Sequence, residues 1–145
     1  MIQMSFTIAV GATKERSVRI QPFQTTSFLW EGENVLSTPS MISEMEETCR
    51  LLLKEKFLAA EEWDSVGTYV NVRHLAATPV GSNVDFKAKI ISVNSKKVLF
   101  EVVAQDSLET VGDGNHERHI IHVPTFRERF INKQKKLAKE RREKL

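Results

Sequence analysis

The sequence predicts an α+β domain of two layers, with one long helix laid across an antiparallel sheet. Three observations carry that prediction. Residues 41–57 repeat apolar side chains at helical spacing, and residues 66–123 divide into extended segments joined by hairpin-length turns. The chain has 145 residues, 41% of them hydrophobic and 28% charged, which suits one globular core. Strands that follow one another through short turns pair antiparallel, and a single amphipathic helix can cover one face of the sheet they form.

The elements follow in chain order. Phe6 to Ile20 holds two short apolar pieces around Gly11-Ala12-Thr13 and reads as one or two strands. Thr25 to Leu36 mixes Phe28 and Trp30 with Gly32 and Asn34, a loop or an irregular entry into the helix. Thr38-Pro39 is a helix start, with a hydroxyl at the N-cap and proline at the first helical position. Met41, Ile42, Met45, Cys49, Leu52, Leu53 and Phe57 then fill one arc of roughly 160°, a buried helix face. Glu44, Glu47 and Lys54 fall outside that arc. Glu46 does not; it projects between Leu53 and Phe57 near the edge of the apolar face, and is the odd residue of this helix.

Val66 to Leu75 is rich in β-branched residues and contains His74. After a turn at Pro79–Asn83, Val84, Phe86, Ala88 and Ile90 alternate with Asp85, Lys87 and Lys89, as in a half-buried strand. Asn94–Lys97 turns the chain into Val98–Ala104. A turn near Ser107–Glu109 leads to a last strand, with Gly112-Asp113-Gly114 as a candidate break, that runs to Val123 and ends at Pro124. Residues 125–142 read as a helix in which Phe126, Phe130 and Leu137 stand among alternating charges.

Composition narrows the function classes. No apolar run approaches the roughly 18–20 residues of a membrane span, so no membrane partner is expected. Met1–Phe6 lacks the features of a secretory signal. Cys49 is the single cysteine, which excludes an internal disulfide and suggests a reducing, cytoplasmic setting. The net charge of +2 averages two unlike parts. Residues 1–123 carry 12 basic and 16 acidic side chains, and residues 124–145 carry 9 and 3. The basic residues Lys133, Lys135, Lys136, Lys139, Arg141 and Arg142 could meet nucleic acid or the phosphates of coenzyme A. Aromatic interleaving is missing from residues 131–145, so a solvated terminal helix is the expectation and nucleic acid is not an expected partner.

Few residues have the spacing that chemistry needs. No phosphate-cradling glycine loop is present, and no metal site is expected, His116-x-x-His119 being the one spacing that could bring two imidazoles together in a bulge. Cys49 lies in the middle of the apolar arc and reads as a packing thiol. Thr38, Glu46 and His74 are more informative. A carboxylate on an apolar helix face is costly unless paired or functional, and desolvation would push it toward the range of a general base. Thr38 lies just over two turns earlier on the same side, at a helix start whose free N–H groups could bind an oxyanion. Plain readings stand beside these: Thr38 as a cap, Glu46 reaching solvent or paired with Arg50 at i+4, and His74 as an ordinary strand histidine.

These residues lie in an ordered frame: Ser37-Thr38-Pro39-Ser40-Met41-Ile42, Met45-Glu46, Val66-Gly67-Thr68, His74-Leu75-Ala76-Ala77-Thr78-Pro79-x-Gly81, and Gly114-x-His116-Glu117-Arg118. From about Leu36 to Phe130 this frame resembles the hot-dog-fold acyl-CoA thioesterases, and more narrowly the fluoroacetyl-CoA thioesterase-like group. The resemblance implies a hot-dog domain over residues 1–130, a sheet wrapped around one central helix, followed by a basic helical tail over 131–145. It implies hydrolysis of an acyl-CoA thioester to free acid and coenzyme A, with no cofactor beyond the coenzyme A of the substrate. The alternative function is an acyl-CoA-binding module without turnover on the same fold. By position, Thr38, Glu46 and His74 match the family's catalytic threonine, glutamate and histidine; Gly67 and Arg118 match substrate-binding residues. A homodimer with active sites at the subunit interface is implied as well. The segment before the helix, with Phe28 and Trp30, departs from the fluoroacetyl-CoA enzymes, so selectivity for a fluorinated acyl group is not implied.

Overall fold

The computed structural model describes residues 7–26 and 30–144; Phe28 and the first six residues lie outside the described residues. Five strands form one antiparallel sheet in the order β1-β5-β6-β7-β4: β1 (Thr13–Arg19), β4 (Trp63–His74), β5 (Asn83–Asn94), β6 (Lys97–Gln105) and β7 (Thr110–His122). A two-stranded ribbon of β2 (Thr25–Thr26) and β3 (Val35–Leu36) occupies the stretch read as a loop. Helix α1 (Thr38–Lys56) packs on the sheet, and α2 (Val123–Glu143) continues from the end of β7. The architecture is the expected α+β one.

Alternation decides which face meets the helix. Val84, Phe86, Ala88 and Ile90 of β5 are buried together with Val98, Phe100, Val102 and Ala104 of β6. Met41, Met45, Cys49, Leu52 and Leu53 of α1 complete the same core. Burying one such large side chain is worth about 1.5–3 kcal/mol, so this interface holds α1, and all that it carries, at a fixed height over the sheet.

Further local readings change. The cap of α1 is Ser37, whose hydroxyl accepts from Ser40 N at 3.2 Å; Thr38 is the first helical residue. Both are hydroxyl residues ahead of a proline, and only the backbone geometry separates them. β7 runs unbroken through Gly112–Gly114. Gly114 adopts φ 152°, and a Cβ there would lie 2.6 Å from Val72 Cα on β4, so the glycine admits a close strand approach. Pro124 sits in the first turn of α2, and that helix passes through residue 130 without interruption.

β4 is a sheet edge. Among the described residues it pairs with β7 on one side only, and its register shifts at a bulge between Gly67 and Tyr69. An unpaired strand edge is a template for pairing with another chain. Tyr69 and Val70, just past the bulge, are 50% and 38% exposed.

Candidate functional site

The sequence-derived candidates separate into two groups. At the start of α1, Thr38 Oγ1 lies 2.8 Å from His74 Nδ1, at the last residue of β4. Because Ser37 does the capping, the Thr38 hydroxyl is free for this contact. Burial holds the His74 imidazole below the usual histidine value, with a hydrogen bond to the Ala76 backbone acting the other way. Its Nε2 is buried without a hydrogen-bond partner. A buried polar atom left open in this way is costly and suits a ligand group.

Glu46 lies two turns further along α1. Eight residues correspond to a rise of about 12 Å, and no hydrogen bond joins Glu46 to Thr38 or His74 among the described residues. Its side chain is 39% exposed rather than enclosed. The i+4 pairing with Arg50 is not formed, since Arg50 bonds Glu47 at 2.7 and 3.0 Å and Asp64 at 3.3 Å. Glu46 opens onto a polar cavity of about 560 Å³, lined by Ser43, Glu44, Glu47, Ser65, Gly67 and Arg118 among others.

Three glutamates border that cavity, and two are already engaged. Glu44 takes Arg16 at 3.2 Å and Gln24 at 3.3 Å. The Arg50 hydrogen bond holds the Glu47 carboxyl below the usual carboxylate value. Glu46 has no hydrogen-bond partner among the described residues; its carboxylate lies 3.9 Å from His116 Nε2 and against Gly67. A methyl group on Gly67 would stand 2.5 Å from Glu46 Oε1, 3.1 Å from His116 Cε1 and 3.6 Å from Arg118 Nη1. The missing side chain at position 67 therefore makes the space in which the carboxylate, the imidazole and the guanidinium converge.

Arg118 is buried and held from three sides. Its Nε donates to Ser65 Oγ and its Nη2 to the Ser65 carbonyl, each at 2.7 Å, while Nη1 donates to His116 Nε2 at 3.1 Å. Ser65 escaped the sequence reading, because nothing in a strand sequence marks a serine as the partner of an arginine 53 residues later. His116 was visible only as half of a histidine pair. His116 and His119 lie on opposite faces of β7, an odd number of residues apart, so they do not form a joint metal site. Cys49 is fully buried, and desolvation pushes its thiol far above the ordinary value, as a packing residue requires. A second, more apolar groove of about 320 Å³ includes Lys96, His119, Phe126 and Arg129 on the other side of β4; Glu46 is not among its residues.

The chain and its fold are similar to known proteins. The family model for the fluoroacetyl-CoA-specific thioesterase matches residues 20–124. The fluoroacetyl-CoA thioesterase of Streptantibioticus cattleyicolor is 33% identical over 124 residues, covering 81% of this chain and 88% of that protein. A solved fluoroacetyl-CoA thioesterase superposes with a TM-score of 0.79 at 28% identity, covering 88% of this chain and 98% of the other. A hypothetical protein from Thermus thermophilus, described as a thioesterase superfamily member, shares the fold with a TM-score of 0.81 at 24% identity, over 91% of this chain and 97% of its own.

Proposed function

The chain belongs to the fluoroacetyl-CoA-specific thioesterase family and is an acyl-CoA thioesterase, and we propose that Glu46 drives its hydrolysis within a site completed by a second copy of the chain. The observation that carries this reading is the open Glu46 carboxylate, the only one of three in its cavity without a hydrogen-bond partner among the described residues, set against the bare backbone of Gly67.

Acting as general base, Glu46 takes a proton from water as the oxygen attacks the thioester carbonyl. The C–S bond then breaks, and the departing thiolate takes up that proton, leaving free acid and coenzyme A. Acting as nucleophile, Glu46 displaces the coenzyme A thiolate as the C–S bond breaks, and water opens the resulting anhydride to free acid and the Glu46 carboxylate, its spare proton going to the thiolate. Either route builds negative charge on the carbonyl oxygen, for which the Gly67 N–H and the Thr38–His74 pair are candidate donors. The roles of Gly67 and Arg118 are to border the acyl group. Every group required is a side chain or a backbone N–H, so the reading needs no metal or redox cofactor, and coenzyme A enters as part of the substrate.

The separation of the two residue groups supports a homodimer. Pairing two β4 edges antiparallel about a two-fold axis near the bulge sets the Trp63 end of one strand beside the His74 end of the other. Thr38 and His74 of one protomer then approach Glu46 of its partner. Exposed Tyr69 and Val70 on the free edge favour such pairing. The reduced, buried Cys49 fits a cytoplasmic setting.

Thiol release from a panel of short, branched and aromatic acyl-CoAs tests the reading. Glu46→Gln is expected to remove most turnover with the fold intact, and full activity in that variant would eliminate Glu46 as base or nucleophile.

A further inference from the structure

His116 is 1% exposed, and both of its ring nitrogens are used. Nδ1 lies 2.9 Å from the Tyr69 carbonyl, which can only accept, so Nδ1 carries the hydrogen. Nε2 is then a bare acceptor, and Arg118 Nη1 donates to it at 3.1 Å. Burial, aided by the Arg118 charge and opposed by the Tyr69 bond, holds the imidazole below its ordinary value, in the neutral form that both partners require. One ring thus ties the bulge of β4 to the guanidinium.

The consequence concerns what Arg118 does not do. Its Nη1 reaches within 3.6 Å of the point where a Gly67 methyl would lie, the point that also faces Glu46 Oε1. Yet Arg118 forms no ion pair within 4.0 Å of Glu46 among the described residues. Its Nε and Nη2 are bound to Ser65, and Nη1 is turned to His116. A guanidinium closed on Glu46 would stabilise the carboxylate and weaken it as base or nucleophile. Glu44 and Glu47 on the same helix border the Glu46 cavity with Ser65, Val66 and Gly67 of β4; Cys49 and Arg50 of α1 and Asp64 of β4 lie within electrostatic reach of Arg118, and Glu117 of β7 within reach of His116.

We infer that His116 is a positioning residue for the hydrolysis: by accepting from Arg118 and donating to Tyr69, it holds the arginine beside Gly67 and away from the Glu46 carboxylate. The inference rests on Glu46 being the reactive carboxylate. Two substitutions separate the two bonds. In His116→Asn the amide NH₂ stands where Nδ1 stood and still donates to Tyr69, while the acceptor for Arg118 is lost. In His116→Gln the amide oxygen stands near Nε2 and still accepts from Arg118, while the bond to Tyr69 is lost.

The test is the pH profile of kcat/KM for acyl-CoA hydrolysis by folded variants, because its acid limb reports the reactive carboxylate. His116→Asn is expected to release Arg118 onto Glu46, moving the acid limb down by about one pH unit and lowering the plateau by about tenfold. His116→Gln is expected to leave the limb where it is. A purely structural role would reduce both variants without displacing either limb, and an unmoved limb in His116→Asn overturns the inference. If His116→Asn does not fold, Arg118→Met tests the same premise from the other partner, since a guanidinium held by His116 and Ser65 is not closed on Glu46. An acid limb left in place in that variant supports the inference, and a limb raised by about one pH unit, as on loss of a direct ion pair, refutes it. Glu46→Gln keeps the two ideas apart: survival of turnover there defeats the Glu46 reading, whereas an inactive Glu46→Gln with an unmoved His116→Asn limb defeats this inference alone.

Discussion

Gly67→Ala offers the sharpest perturbation of the proposed site, because the added group is one methyl whose neighbours are known. It would meet Glu46 Oε1 at 2.5 Å and His116 Cε1 at 3.1 Å. Ordinary carbon–oxygen contact needs about 3.5 Å, so the carboxylate has to retreat by about 1 Å. Glu46 is a flexible side chain with an open cavity behind it, which makes the retreat easy for the fold. The backbone at Gly67 is not in the left-handed region, and Gly→Ala at a compatible position gains about 0.4–1 kcal/mol from the unfolded chain. The 3.1 Å contact with His116, buried and bonded at both ring nitrogens, offsets that gain, so stability should be little changed or modestly lower. Catalysis should fall far more: displacement of a reacting group by 1 Å costs about 100-fold. Steady-state thiol release, read beside a thermal melt, measures both. A Gly67→Ala enzyme with the parental kcat/KM would show that the close approach of Glu46 to this backbone has no part in turnover. In a Glu46→Asp background, where the carboxylate is already withdrawn by one methylene, the same substitution should cost less than about tenfold.

Other outcomes follow from the same contacts. His74 and His116 both have imidazoles held below their ordinary value of 6.5, the first cause in each being burial. The unfolded chain thus binds protons more readily than the folded one, so their contribution to stability is intact above about pH 6.5 and is lost as pH falls through the folded values. Calorimetry from pH 8 to pH 5 should record a falling Tm, flattened in His116→Asn; a Tm independent of pH over that range would contradict it. Phe100→Ala, at the centre of the core between sheet and helix, should destabilise by about 3–5 kcal/mol in denaturant titrations.

Legibility in the sequence varied with the range of the interaction. The alternation of β5 and β6 and the apolar arc of α1 are local patterns, and both were readable as the faces of one core. Glu46 was conspicuous for the same reason, as a carboxylate on the edge of an apolar arc. Misreadings arose where two residues satisfy one local rule or where a partner is remote. Ser37 and Thr38 are equally good caps, and the choice between them decides whether the Thr38 hydroxyl can reach His74. Gly112 to Gly114 resembles a strand break until the approach of β4 explains the glycines. The Ser65–Arg118–His116 chain joins β4 to β7 over 53 residues, and no periodicity anticipates it. The edge position of β4 depends on strand order, which hairpin lengths alone do not dictate.

The shared site can be tested with a hybrid dimer, built from one Glu46→Gln protomer and one His74→Ala protomer carrying different affinity tags and purified through both. If Glu46 of one protomer works with Thr38 and His74 of its partner, the hybrid holds one intact site and one doubly defective site. It should then recover about half of the parental kcat, although each parent homodimer is inactive. A hybrid as inactive as its parents would contradict the account, since every site would then draw Glu46 and His74 from the same chain.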